Sequence, residues 1–138
     1  MADTVQFELV SPERLLVSAP VEMVVVPGAE GDFGVLPGHA PLISTVRTGV
    51  IAIFEGGKVD RRIFVSGGFA EVTPERCTVL ADEAVALETA DRPAIEARVK
   101  AARDDLADAD NDAERTSATA ALAIAEALLA SLDARPYG

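Results

Sequence analysis

Tryptophan is absent from this 138-residue chain, aromatic residues make up only 4% of it, and it holds one histidine and one cysteine. With so few rings, the core must rest on Val, Leu, Ile and Ala, which a 49% apolar composition supplies. A lone Cys77 cannot form an internal disulfide, and a reduced cytosolic compartment fits it. One His, one Cys and scattered carboxylates show no ligand spacing, so no metal and no cofactor is expected. No apolar stretch approaches the ~20 residues that a membrane span requires. Basic residues are scarce as well, with 12 Lys and Arg against 23 Asp and Glu and a net charge of −11. That balance excludes nucleic acid and anionic lipid as direct partners, because both need clustered cations to displace counterions. Met1, Ala2, Asp3 and Thr4 carry acid early and begin neither an apolar leader nor an Arg/Ser-rich amphipathic helix, so no targeting segment is expected.

What is present divides into two halves. From Thr4 to about Ala86 the chain is rich in Val and Ile and cut at short intervals by Gly and Pro. Val5, Phe7 and Leu9 alternate with Gln6 and Glu8, the period of a half-buried strand, and Val21, Met23 and Val25 repeat it. Val50–Phe54, Gly56-Gly57 and Val59–Val65 read as a hairpin whose glycines supply positive φ. Ser66, Gly67 and Gly68 read as a break before the strand Phe69–Val72, and Thr73–Arg76 as a turn before Cys77–Ala81. The pattern predicts an antiparallel β-sandwich of about ten strands over residues 1–87. After Glu88 the period changes. Pro93 suits a first helical turn with Thr89 or Asp91 as N-cap, and Ile95, Val99, Ala102 and Leu106 form one narrow stripe. Asn111 and Glu114 have capping-box spacing. Ala118, Leu122, Ala125, Leu129 and Leu132 then form a seam for one partner helix. Residues 88–138 are thus expected to be an antiparallel helical hairpin.

No catalytic constellation emerges. His39 sits between Gly38 and Ala40 with no nucleophile or carboxylate assembled on it, so it reads as a turn or interface residue. Cys77 lies in a strand-like run, where a packed thiol is the default. Gly28, Gly31 and Gly34 resemble a phosphate loop in spacing alone. Pro37 and Pro41 forbid the helix that such a loop must open, and no Gly-Lys-Ser/Thr follows. The glycines instead shape a backbone that passes close to something.

The run Gly34-Val35-Leu36-Pro37-Gly38-His39-Ala40-Pro41-Leu42-Ile43, followed by Ser44, closely resembles the signature of the ε-subunit family of bacterial and chloroplast F-type ATP synthases. Leu9–Glu13, Phe64–Val72 and Val79–Ala84 are similar to further family segments, so the resemblance covers essentially the whole chain. It implies a non-catalytic central-stalk subunit that couples rotation of the membrane c-ring, through the γ subunit, to ATP synthesis. Its implied partners are γ, the c-ring and, through the hairpin, the αβ hexamer. Its implied place is the cytoplasmic face of the bacterial inner membrane, held peripherally. By the family pattern Glu30, Gly31 and Asp32 face the c-ring, and His39, Ala40, Pro41 and Leu42 meet γ. The hairpin would carry inhibition of ATP hydrolysis.

Two departures bear on the regulatory half. Family members that bind ATP open the first helix with Ile/Leu-Asp-x-x-Arg-Ala. Here Ala90–Ile95 retains only Asp91 of that pattern and has Ala94 in place of the arginine, so ATP binding is not carried over. The last helix is Ala, Leu and acid apart from Arg115, whereas docking on an acidic partner needs cations, so inhibition is expected to be weak. The competing reading is a free-standing sandwich that binds a small ligand.

Overall fold

The computed structural model describes residues 3–138, so the expectation for Met1 and Ala2 lies outside it. The chain divides into two compact units. One holds the described residues up to Glu88 together with Arg135–Gly138, and the other spans Thr89–Ala134.

The first unit contains eight strands: β1 (Val5–Ser11), β2 (Arg14–Val21), β3 (Met23–Gly28), β4 (Gly31–Val35), β5 (Leu42–Glu55), β6 (Lys58–Val72), β7 (Arg76–Ala81) and β8 (Ala84–Ala86). They form one hydrogen-bonded sheet in the order β2-β1-β7-β6-β5-β3-β4, with β8 also paired to β6. The sheet becomes a sandwich because β5 and β6 are long enough to serve both layers. Residues 42–48 of β5 pair with residues 66–72 of β6 beside β7, and residues 49–55 pair with residues 58–65 beside β3 and β8. The Ser66–Gly68 segment therefore bends a continuous strand rather than breaking it. This is one reason the strand count is eight and not about ten. Pairing is antiparallel except between β1 and β7, which lie far apart in sequence and so are not constrained by a hairpin turn.

Gly68 explains the bend. Its φ is 126°, and a Cβ there would fall 2.0 Å from the carbonyl oxygen of Leu80. Only a residue without a side chain lets β7 approach this closely. At the far end of the pair, Gly56 and Gly57 both have positive φ, as the hairpin turn demands, and the Glu22 carboxylate accepts both of their N–H groups at 3.1 and 3.0 Å.

The core lies between the layers. Val5, Phe7, Leu9, Val24, Val26, Ile51, Ile53, Ile63, Val65 and Val79 are almost wholly buried, the alternation read from β1 included. Each such side chain contributes about 1.5–3 kcal/mol as an upper figure. Val25, Ala52 and Phe64 are buried too but stand outside that cluster, on the opposite face of the same strands.

In the second unit, α1 (Arg92–Ala107) and α2 (Asp112–Ser131) form the hairpin. Asp91 caps α1 by accepting the Ala94 N–H at 3.3 Å, and Pro93 occupies the first turn. Asn111 caps α2 through the Glu114 N–H at 2.8 Å, while the Glu114 side chain accepts from the Asp110 N–H. Ile95, Val99 and Ala102 are buried as the stripe predicts, and Leu106 is half-buried. On α2 the buried pair is Ala125 and Leu128, with Leu129 half-buried. Ala118, Leu122 and Leu132 are half-buried as well, so the expected line holds along α2, with Leu128 beside it as its most buried leucine.

Candidate docking site

The β3–β4 hairpin carries the first candidate group. β3 and β4 pair in register from Val24↔Val35 to Gly28↔Gly31, leaving Ala29 and Glu30 as the turn. Gly28 cannot be replaced cheaply, since a Cβ would lie 2.8 Å from the Gly31 carbonyl oxygen and 2.9 Å from the Phe33 ring. The close approach inferred for these glycines is met at Gly28 alone, where the chain approaches itself; a Cβ at Gly31 would meet nothing within 4 Å, and one at Gly34 only ordinary contacts at 3.6 and 3.9 Å. Glu30, Gly31 and Asp32 are all exposed.

Asp32 is held from two sides. The Arg47 guanidinium on β5 donates to its Oδ1 at 2.5 Å and, through the other terminal nitrogen, to the Gly28 carbonyl at 2.5 Å. The Tyr137 hydroxyl donates to Oδ2. The tyrosine bond, with Arg47 behind it, holds the Asp32 carboxyl below the usual carboxylate range, and Asp32 in turn raises the Tyr137 phenol.

In the second group, His39, Ala40 and Pro41 lie in the irregular segment after β4, and Leu42 opens β5. The Gly38 N–H donates to the Pro74 carbonyl at 2.8 Å, which ties this segment to the β6–β7 turn. The turn is closed by Thr73 and Arg76, whose backbone groups bond each other at 2.8 and 3.3 Å. His39 Nδ1 lies 2.6 Å from the Ala40 carbonyl, and its backbone N–H donates to Leu36. Ala40, Pro41 and Leu42 are exposed. The two groups are not brought together: Leu42 begins β5 and Arg47 lies five residues on, roughly 17 Å of strand. Asp91, the residue kept from the nucleotide pattern, spends its carboxylate on the α1 cap.

Sequence reading missed a third feature. Register aligns Leu15 with Val10, Val10 with Leu80, and Leu80 with Phe69, giving an apolar row across β2, β1, β7 and β6. Leu15, Leu80 and Phe69 are 56%, 55% and 60% exposed, and Ile43 on the neighbouring row is 75% exposed, so this face is uncovered. Alongside it, Glu8 pairs with Arg76 and accepts from Ser18. The available signal was consecutive apolar residues, Leu9-Val10, Phe69-Ala70 and Val79-Leu80, which give a strand two apolar faces instead of one.

Cys77 is fully buried in β7, and burial pushes its thiol up to about 12, so it is an inert core residue. Among the described residues, no cluster of three His, Cys, Asp or Glu side chains is placed to hold a metal ion. No helix among them is long and apolar enough to cross a membrane.

Residues 4–87 match the family described as ATP synthase, Delta/Epsilon chain, beta-sandwich domain. The chain belongs to that family. It is 65% identical over 131 residues to the ATP synthase epsilon chain of Rhodospirillum rubrum, covering 95% of this chain and 98% of that one. The epsilon chain of Paramagnetospirillum magneticum is 55% identical over 132 residues, covering 96% and 99%. Among solved structures, a chain of the Euglena gracilis mitochondrial ATP synthase, in an assembly of OSCP, F1 and c-ring, superposes with a TM-score of 0.76 at 29% identity, over 96% of this chain and 83% of that chain. A chain from the central stalk and c-ring of the Tetrahymena thermophila mitochondrial enzyme shares the fold, with a TM-score of 0.62 at 14% identity over 93% and 96%. The epsilon-chain family thus accounts for both halves of the molecule, the sandwich and the helical hairpin.

Proposed function

We propose that the protein is a non-catalytic rotor subunit of an F-type ATP synthase, transmitting rotation between the membrane c-ring and the catalytic hexamer through γ. The observation that carries this reading is the exposed apolar row Leu15, Val10, Leu80 and Phe69 with Ile43 beside it, in a chain of the epsilon family. A stiff sheet that leaves large apolar side chains in water is suited to a permanent partner. The row docks on γ, together with the His39–Leu42 segment. The Glu30–Asp32 tip faces the polar loops of the c-ring, so the subunit sits peripherally at the cytoplasmic face of the bacterial membrane. A free-standing ligand-binding sandwich is disfavoured, because the relatives are epsilon chains along nearly their full length.

The hairpin unit is the regulatory half, with weak inhibition of ATP hydrolysis. Residues 89–134 hold ten acids against five bases. Arg92 pairs with Asp133, Lys100 with Asp104, Arg103 with Glu126 and Arg115 with Asp112, so most of its few cations are already engaged within the unit. Little positive charge remains for an acidic partner surface.

Phe69→Lys combined with Leu80→Glu tests the docking reading. The two positions are exposed cross-strand partners, so opposite charges there suit the sheet, and circular dichroism of the variant checks that it folds. Its yield in purified synthase complexes is expected to fall at least about tenfold. Retention at wild-type stoichiometry with γ would overturn the assignment.

A further inference from the structure

Residues Arg135–Gly138 fold with the sandwich unit, and they reach Asp32 at the hairpin tip proposed to face the c-ring. The segment makes a tight turn in which the Gly138 N–H donates to the Arg135 carbonyl at 3.3 Å. Three contacts fasten it. Arg62 on β6 donates to the Pro136 carbonyl at 3.3 Å. The Tyr137 ring lies on Phe54 of β5 with centroids 6.1 Å apart and planes tilted by 59°, a favourable arrangement for two rings. The Tyr137 hydroxyl then donates to Asp32 Oδ2. Strand register puts these anchors on one face, since Arg62 is opposite Ala52, Ala52 opposite Val25 and Val25 opposite Gly34, with Phe54 and Asp32 each two residues along the same side.

Both oxygens of Asp32 are therefore taken by side chains of the same molecule, and the two holds differ. Arg47 is anchored a second time by the Gly28 carbonyl. Tyr137 remains 47% exposed and has a φ of 65°, the one positive value at a non-glycine position among the described residues. A bulky residue held in that region relaxes when released, so the tyrosine is the partner that leaves first.

We propose that Tyr137 is a displaceable cap on Asp32: it covers the carboxylate in the unpartnered subunit, and a donor-bearing loop of the c-ring takes Asp32 by displacing it. The proposal rests on the reading of Asp32 as a ring contact and adds a competing occupant for that site. Its effect is to lower the apparent affinity of the ring by the fraction of molecules in which the cap is closed.

Tyr137 is the only tyrosine and tryptophan is absent, so phenolate absorbance reads the cap directly in the full chain. In the wild type Tyr137 is expected to ionise above the ordinary phenol value, and in Asp32→Ala to return toward it. Identical titrations would overturn the cap. In the second arm, the full-length subunit is titrated with the detergent-solubilised c-ring of its own synthase. Tyr137→Phe is expected to bind about threefold to tenfold tighter than wild type, and equal or weaker binding overturns the displacement. Asp32→Ala is expected to bind more weakly than wild type. Unchanged binding by that variant sinks the ring-contact reading and the competition with it, while the absorbance titration still decides whether the cap exists.

Discussion

Gly68 in β6 and Leu80 in β7 approach so closely that a Cβ on Gly68 would stand 2.0 Å from the Leu80 carbonyl oxygen. This contact lets one pair of strands serve two layers. Gly68→Ala combines a positive φ with a backbone clash and is expected to cost about 3 kcal/mol or more. Urea unfolding followed by circular dichroism measures it, and a loss under about 1 kcal/mol would show that β6 bends without needing this approach.

Arg47 and Asp32 stand differently. Their side chains are 44% and 38% exposed, so the ion pair contributes little to global stability despite its 2.5 Å separation. Arg47→Ala is expected to leave the urea midpoint nearly unchanged while raising the Asp32 titration seen by carboxyl NMR. The sign follows from the lowered folded-state value: the contribution of Asp32 is present above the unfolded carboxylate value of 3.8 and is lost as pH falls through the folded one. A large midpoint shift would mean that Arg47 braces more than the hairpin tip.

Cys77 predicts an alkaline limit. Burial raises its thiol from 9.0 to about 12, so its contribution is full below pH 9 and is lost as pH rises from there toward 12. The loss should approach about 4 kcal/mol across that window, at 1.36 kcal/mol per unit. Native protein at pH 8 should resist alkylation, and unfolding in urea should release the thiol. Rapid native labelling would show that β7 opens locally.

Regulation by the hairpin can be tested by ending the chain after Asp91. With the unit's few cations mostly paired to its own acids, hydrolysis by the reconstituted catalytic sector should change by less than about twofold. A several-fold rise would show that the hairpin inhibits by shape and apolar contact instead of charge.

The helical half was legible wherever a local rule operates. Asp91, Pro93, Asn111 and Glu114 act within one turn of the backbone, so spacing located the start of α2 and narrowed that of α1 to Thr89 or Asp91, of which Asp91 is the cap. The α2 seam was legible too, and only the burial of Leu128 beside it was not. In the sandwich, alternation in β1 found Val5, Phe7 and Leu9. Ser66–Gly68 read as a break because glycines mark turns and bends alike, and the difference lies in where Leu80 runs.

By itself the sequence determined the sandwich, the hairpin and, through the Gly34–Ile43 run, the family. All of these rest on neighbours within a few residues of one another or on an unbroken motif. Tertiary structure alone decided that Leu15, Val10, Leu80 and Phe69 make one apolar row, since cross-strand register joins residues 5 to 70 positions apart in the chain. It also decided the surroundings of Asp32. A carboxylate that sequence presents as a bare loop tip is clasped by Arg47 and Tyr137, 15 and 105 residues away, because chain folding places hydrogen-bond donors by distance in space and not by position in sequence.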